Sequence, residues 1–246
     1  ESICALSRAK QAVIVGDPMQ LPPTSFFDAG QAESTTQDED GLDIDSESIL
    51  DRALSALHPS RDLRWHYRSR HHSLIAFSNK EFYGDRLFVF PSPAEKSSDL
   101  GVSFVPVESG RYKASINPDE ADLVVDTVTH LIRSGSGRSI GVVAVNQPQK
   151  DLLIERFDRL FAEDSTLEAY RAKWAGTLEE FFVKSLENVR GDERDIIVIS
   201  TVYGPETPGG PVYQRFGPTN SNVGHRRLNV LFTRAKERVV LVSSLK

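Results

Sequence analysis

At 246 residues, with 39% hydrophobic and 26% charged positions, the chain has apolar material for a sizeable core and no apolar run long enough to span a membrane. Its net charge of -6 argues against a broadly basic protein that coats nucleic acid, though not against a motor whose contacts are confined to one groove. Cys4 is the only cysteine, which rules out an intrachain disulfide and suits a reducing cytosol, so a cytoplasmic location is expected.

The chain opens at Glu1 with neither an initiator Met nor a leader pattern, the start expected of a processed protein or, the favoured reading, of an excised stretch of a longer one. Residues 12–15 are a short apolar run before Gly16-Asp17-Pro18 and predict a strand buried on both faces. Residues 28–47 hold eight acids and no Lys or Arg, and predict a solvated loop. Ile49, Leu50, Ala53, Leu54 and Leu57 recur at helical spacing and predict a helix that ends before Pro59. Residues 58–62 are the candidate hinge between two domains.

Beyond the hinge, helix and strand patterns alternate. Residues 73–83 predict a helix through Leu74, Ile75, Phe77, Phe82 and Tyr83, and residues 101–107 alternate as a strand does. Asn117-Pro118-Asp119-Glu120 supplies an N-cap, a proline at the first helical position and an acid two residues further on, ahead of Leu123, Val124, Val128, Leu131 and Ile132. A buried strand at 140–145, a helix at 151–161 and strands at 181–184, 195–201 and 238–243 complete the set. Such alternation implies right-handed crossovers and a mainly parallel sheet flanked by helices, an α/β class.

For chemistry, one absence matters first. No G-x-x-x-x-G-K-[ST] phosphate loop occurs, so nothing supplies the amide cradle and lysine that hold β- and γ-phosphates. Gly135-Ser136-Gly137-Arg138-Ser139 precedes its strand and reads as a turn. Asp17 has no Glu beside it and a proline after it, so a magnesium role is not assigned to it. His71-His72 lacks the Cys or nearby acid that would complete a metal ligand set.

Three clusters remain. In Gly16-Asp17-Pro18-Met19-Gln20-Leu21-Pro22-Pro23 the prolines restrict the loop around Gln20, whose amide could meet a phosphate oxygen or an attacking water; a tight surface turn is the plainer reading. Arg64-Trp65-His66-Tyr67-Arg68-Ser69-Arg70 could stack a base and fork onto a phosphate, or be an amphipathic segment with Trp65 and Tyr67 in the core. In the tail, Leu228, Leu231, Phe232 and Ala235 fall on one helical face and leave Arg227 and Arg234 about two turns apart on another. An arginine held rigidly there suits charge stabilisation in phosphoryl transfer, and a solvated basic stripe is the alternative.

In order, these segments resemble the later signature motifs of superfamily 1 helicases, in the branch that includes the nonsense-mediated-decay helicase and bacterial relatives. Gly16-Asp17-x-x-Gln20-Leu21 resembles motif III, Tyr67-Arg68 motif IV, and residues 142–149 the strand-and-loop motif that follows. Residues 187–200 resemble motif V and residues 226–236 motif VI. The resemblance implies a RecA-like P-loop NTPase fold, with residues 1–60 a stub of a first motor domain and residues 61–246 a second, and ATP between the two domains.

By that resemblance Gln20 senses the γ-phosphate, Tyr67 stacks on adenine and Arg68 meets the γ-phosphate. Glu193, with Gly191 beside it, holds the ribose or phosphate region, Arg227 lies with the nucleotide contacts, and Arg234 is the arginine finger. Asn146, Gln149 and Thr201 match positions that face a single strand of DNA or RNA. The chain departs from the family at Arg190 and at His66, where glutamine is common.

The phosphate loop and the Asp-Glu motif that binds Mg2+ would belong to an upstream RecA-like domain, a partner of this chain, and alone the chain is expected not to hydrolyse ATP. A nucleotide-regulated clamp or remodelling module without unwinding activity is the alternative to a helicase or translocase.

Overall fold

The computed structural model describes residues 4, 6–20, 48–93, 97, 99–207, 209–213, 216 and 224–245. The acidic stretch 28–47 and the Leu21-Pro22-Pro23 end of the first loop lie outside the described residues. The chain divides into two compact units, Glu1–Leu63 and Arg64–Lys246.

In the first unit, helix α1 (Ile49–Ala56) starts at Ser48, whose side chain accepts from the Asp51 N–H, and none of its residues is buried. The expected strand at 12–15 does not form: the stretch has no regular structure, with Val13 and Val15 exposed. A strand buried on both faces needs a neighbour on each side to pair its backbone, and no described strand pairs with this one.

The second unit begins with a short parallel pair, β1 (Trp65–His66) against β2 (Phe88–Val89), with α2 (Ser73–Tyr83) between them in sequence. Its main sheet has five parallel strands: β3 (Gly101–Pro106), β4 (Ile140–Ala144), β5 (Phe182–Ser185), β6 (Arg194–Ser200) and β7 (Ala235–Ser243), in the spatial order β3-β7-β6-β4-β5. All five residues of β4 are buried, which is why its sequence is a continuous apolar run.

Helices α3 (Pro118–Arg133), α4 (Gln147–Glu163) and α5 (Ser165–Trp174) pack together and against this sheet. Ala121, Val124, Val128 and Leu131 of α3, with Leu153, Phe157 and Phe161 of α4, form apolar stripes at helical spacing that close over Ile196, Val198, Val240 and Val242. Full burial of each such large side chain contributes about 1.5–3 kcal/mol. The alternate positions Ile197, Ile199 and Val239 are also buried, and α2 packs against β3, β7 and α6 (Gly224–Phe232).

The start of α3 follows its sequence signal: Asn117 accepts from the Glu120 N–H at 3.1 Å, with Pro118 in the first turn. Sequence periodicity reveals neither the short strands β1 and β2 nor helix α5. The helix buries only Leu167, so it carries no apolar stripe, and its one local signal is Asp164, which accepts from the N–H groups of Thr166 and Leu167. No described helix is long and apolar enough to cross a membrane.

Candidate functional site

Strands β6 and β7 lie side by side and parallel, with Arg194 opposite Ala235. The residues just before them, Glu193 and Arg234, therefore enter the sheet at the same level. A third side chain arrives from β1: the Arg70 N–H donates to the Lys236 carbonyl at 2.8 Å, laying this segment along the start of β7. Arg68 thereby reaches both neighbours, with Nη1 3.2 Å from Glu193 Oε1 and 3.3 Å from the Thr233 carbonyl.

Arg234 is buried, at 5% exposure. Its Nε donates to the Val230 carbonyl at 2.8 Å and its Nη2 to Thr233 Oγ1 at 3.0 Å. Burial, and behind it the like charge of Arg68, hold its guanidinium below the usual arginine range, while Glu193 and Asp192 act in the opposite sense. The group stays charged, packed and oriented next to a second guanidinium.

The expected helical placement of this arginine is corrected. Helix α6 ends at Phe232, so Arg234 stands in the junction between helix and strand, and Arg227, on the helix, is directed to Glu187 with Nε 3.9 Å from Oε1. The two arginines do not share a helix face. The helix stops because Thr233 Oγ1 and Arg234 Nε satisfy the Asn229 and Val230 carbonyls of its last turn, while Ala235 already pairs with β6.

Pairing of β6 with β7 is interrupted once. Arg194 faces Ala235 but Ile196 faces Arg238, so Lys236 and Glu237 share the place opposite Asp195. Glu237 is buried and pairs with Arg70 and with Arg138, whose Nε lies 2.6 Å from Oε2. Lys236 Nζ pairs with Glu179 at 2.6 Å.

Gly191 has φ +86 at the third position of a turn closed by the Asp192 N–H to the Val189 carbonyl at 3.2 Å. The charged residues around it are sorted to separate partners. Asp192 pairs with Lys184 at 2.7 Å, and Arg194 turns inward to the Glu180 carbonyl at 2.8 Å. Asp195 accepts from Ser139, which leaves Glu193 as the carboxylate facing Arg68.

Tyr67 is 91% exposed, and Trp65 is exposed too, which corrects the reading of both as core residues. On β1 the alternate residue His66 turns inward, and Trp65 packs across the strand pair on Phe88 and Phe90, with ring centroids 5.2 and 5.5 Å away. Gln20, in the first unit, donates from Nε2 to Asp17 Oδ2 at 2.9 Å, and Asp17 Oδ1 accepts from the Met19 N–H. That carboxylate therefore braces the loop.

The three positions matched to a single strand lie at the opposite, C-terminal end of the sheet, and they differ in access. Asn146 caps α4 through Gln149 N–H at 2.9 Å and donates to the Ser115 carbonyl at 2.8 Å. Thr201 is half-buried and donates to Ser243 Oγ at 2.8 Å. Gln149 has no exposed surface: its amide exchanges hydrogen bonds with the Asn117 backbone at 2.8 and 3.0 Å and donates to Ser200. It is corrected from a strand contact to a buried brace, because its partners occupy the amide on both sides.

Sequence reasoning passed over Thr233, whose carbonyl and hydroxyl serve Arg68 and Arg234, and the signal available was only its place beside Arg234. Among the described residues no cluster of three or more His, Cys, Asp or Glu side chains is placed to hold a metal ion.

Residues 46–246 match the family model described as an AAA domain. An ATP-dependent helicase of Mycoplasma genitalium is 34% identical, over 98% of this chain and 21% of its own. A regulator of nonsense transcripts 1 homolog of Drosophila melanogaster is 25% identical, over 97% of this chain and 19% of its own. Helicase SEN1 of Saccharomyces cerevisiae is 26% identical, over 94% of this chain and 10% of its own. The chain thus spans about a fifth or less of the length of these relatives.

Proposed function

The chain belongs to the AAA domain family, among the superfamily 1 helicases, and from that premise we propose that it forms one wall of the ATP site of a motor that moves along single-stranded nucleic acid. The observation that carries this reading is the meeting of Arg68, Glu193 and Arg234 at the start of β6 and β7. Two guanidiniums converge there, Arg68 on Glu193 and Arg234 within the influence of Arg68, Glu193 and Asp192, and Asp192 is itself paired with Lys184, an arrangement that suits a polyphosphate.

In this reading Arg234 is already in place before the nucleotide arrives, held by Val230 and Thr233, so stabilising developing phosphoryl charge requires no reorganisation. Arg68 exchanges Glu193 for a γ-phosphate oxygen, and Glu193, once released, is positioned for ribose hydroxyls. The exposed Tyr67 ring offers its face to adenine, and Arg227 lies with the nucleotide contacts. Gln20, braced by Asp17 within the first unit, is by the same resemblance the γ-phosphate sensor. Mg2+ bound with ATP would neutralise phosphate charge, and its ligands would come from an upstream RecA-like domain.

This chain contains no phosphate loop, so it is expected to show no ATP turnover by itself. The test uses the full-length protein. Arg68→Ala and Arg234→Ala should each abolish most ATP hydrolysis while leaving the fold intact by circular dichroism, and unchanged hydrolysis in both would overturn the reading. The same protein discriminates a helicase from a clamp: strand separation supports the first, and hydrolysis stimulated by a single strand with no separation supports the second.

A further inference from the structure

Backbone strain is concentrated at the C-terminal end of the sheet, away from the guanidinium cluster. Four described non-glycine residues have left-handed φ, and three of them, Ala114, Ser115 and Val202, lie here. Ala114 and Ser115 form the tip of a two-residue turn closed by reciprocal bonds between Lys113 and Ile116 at 2.9 and 3.1 Å, and Asn146 holds the Ser115 carbonyl. At Val202, φ is +72 and the Tyr203 N–H donates back to the Thr201 carbonyl at 2.8 Å, which makes a γ-turn of the rarer, strained hand. A β-branched residue adopts that conformation only where its surroundings impose it.

What imposes it is the first turn of α3. Glu120 has no exposed surface, and its Oε1 accepts from the Val202 N–H at 2.6 Å and from Ser200 Oγ at 2.7 Å. Its Oε2 accepts from the Ser244 N–H at 3.1 Å. Asn117 Nδ2 donates to the Val202 carbonyl at 3.1 Å and to Ser244 Oγ at 2.8 Å. Both backbone polar groups of Val202 are thus clamped by side chains from one helix turn. A simple capping role would send the Glu120 carboxylate back to the Asn117 N–H, but that N–H donates to Gln149 instead, at 2.8 Å.

We propose that Asn117 and Glu120 are positioning residues for the nucleic-acid strand, which by holding Val202 in its left-handed turn fix Thr201 at the end of β6 where a backbone phosphate of the strand meets it. The inference rests on the reading of this chain as part of a nucleic-acid motor. Thr201 is half-buried and its hydroxyl, which donates to Ser243 Oγ at 2.8 Å and lies 3.5 Å from Glu120 Oε2, can turn to a phosphate oxygen. The clamp bears on where Thr201 stands and touches neither nucleotide nor strand itself.

The experiment measures ATP hydrolysis by the full-length protein as oligo(dT) or oligo(U) is added. In Glu120→Gln, the oligonucleotide concentration for half-maximal stimulation should rise about tenfold, with basal hydrolysis and the KM for ATP unchanged. In Val202→Gly, where glycine takes a left-handed φ without force, adding Glu120→Gln should cost about twofold or less. Should Glu120→Gln fail to fold, Asn117→Ser, which keeps a capping oxygen and loses the amide, should show the same selective loss. An equal penalty for Glu120→Gln with and without Val202→Gly, or a fall in basal hydrolysis matching that in strand affinity, would overturn the inference. A wild-type protein indifferent to both oligonucleotides would overturn the underlying reading with it, whereas normal wild-type stimulation without rescue overturns this inference alone.

Discussion

Arg68 and Glu193 are joined at 3.2 Å although 125 residues separate them, and the same guanidinium also donates to the Thr233 carbonyl at 3.3 Å. Both partners are partly exposed, at 40% and 31% of their side chains, so water screens the pair and its contribution to stability is about 1 kcal/mol or less. Its value lies in orientation. Arg68→Ala should lower ATP hydrolysis by the full-length protein about 100-fold or more while shifting Tm by only about 1–3 °C. A Tm loss large enough to account for the lost activity would make Arg68 a structural residue.

Arg234 is a stricter case, because it donates in two directions from one planar group. Lysine has a single donor point and cannot reproduce both bonds. Arg234→Lys is therefore expected to lose about 10³-fold in hydrolysis, nearly as much as Arg234→Ala, and about 1–3 kcal/mol of stability. Steady-state kinetics with a urea melt decides it, and a lysine variant with substantial activity would show that charge alone suffices.

Tyr67 makes the opposite prediction. Its ring is 91% exposed, so nothing in the unit depends on it. Tyr67→Phe should keep the KM for ATP and Tyr67→Ala should raise it about tenfold, neither moving Tm, since stacking of one ring contributes about 1–3 kcal/mol. An unaltered KM in Tyr67→Ala would remove this residue from the nucleotide site.

His66 should report on Arg68. Burial, and then the charge of Arg68, hold its imidazole below the ordinary histidine range. The Ser69 N–H donates to its Nε2 at 3.2 Å, which requires that nitrogen to be unprotonated. The fold thus favours the neutral ring, and the stability it contributes is complete above the ordinary histidine pKa and is lost as pH falls through that value toward the folded one. A triphosphate that neutralises Arg68 should raise the His66 midpoint. An NMR titration with and without a non-hydrolysable ATP analogue measures the shift, and a midpoint that does not move would separate Arg68 from the phosphate.

Gly191 offers a clean backbone test. Its φ of +86 is left-handed, yet a Cβ built there meets nothing within 4 Å. Gly191→Ala should therefore cost about 1 kcal/mol of backbone strain with no clash, and should lower hydrolysis by displacing Glu193. Equal activity at equal substrate affinity would show that the turn does not set the position of that carboxylate.

Local patterns made much of the second unit legible. The Asn117-Pro118 signal, the run 140–145 and the stripe through Leu74 and Ile75 each reflect forces acting within one element. What depended on distant partners was not legible. The run 12–15 looks like a buried strand, but pairing partners decide that. Gln149 looks available until Asn117 and Ser200, 32 and 51 residues away, take up its amide. The arginines could be picked out singly from the order of the motifs, while their convergence required the registration of β6 on β7, which no short window contains.

That registration carries one extra residue, with Lys236 and Glu237 together opposite Asp195. Upstream of this point the strand serves Arg234, and downstream it serves the apolar interior through Val239, Val240 and Val242. The irregularity works as a phase shifter that lets two side-chain alternations coexist on one strand. Deleting Lys236 would restore regular pairing, keep the valines in step and turn Arg234 to the wrong side, so the protein should still melt cooperatively while hydrolysis is lost.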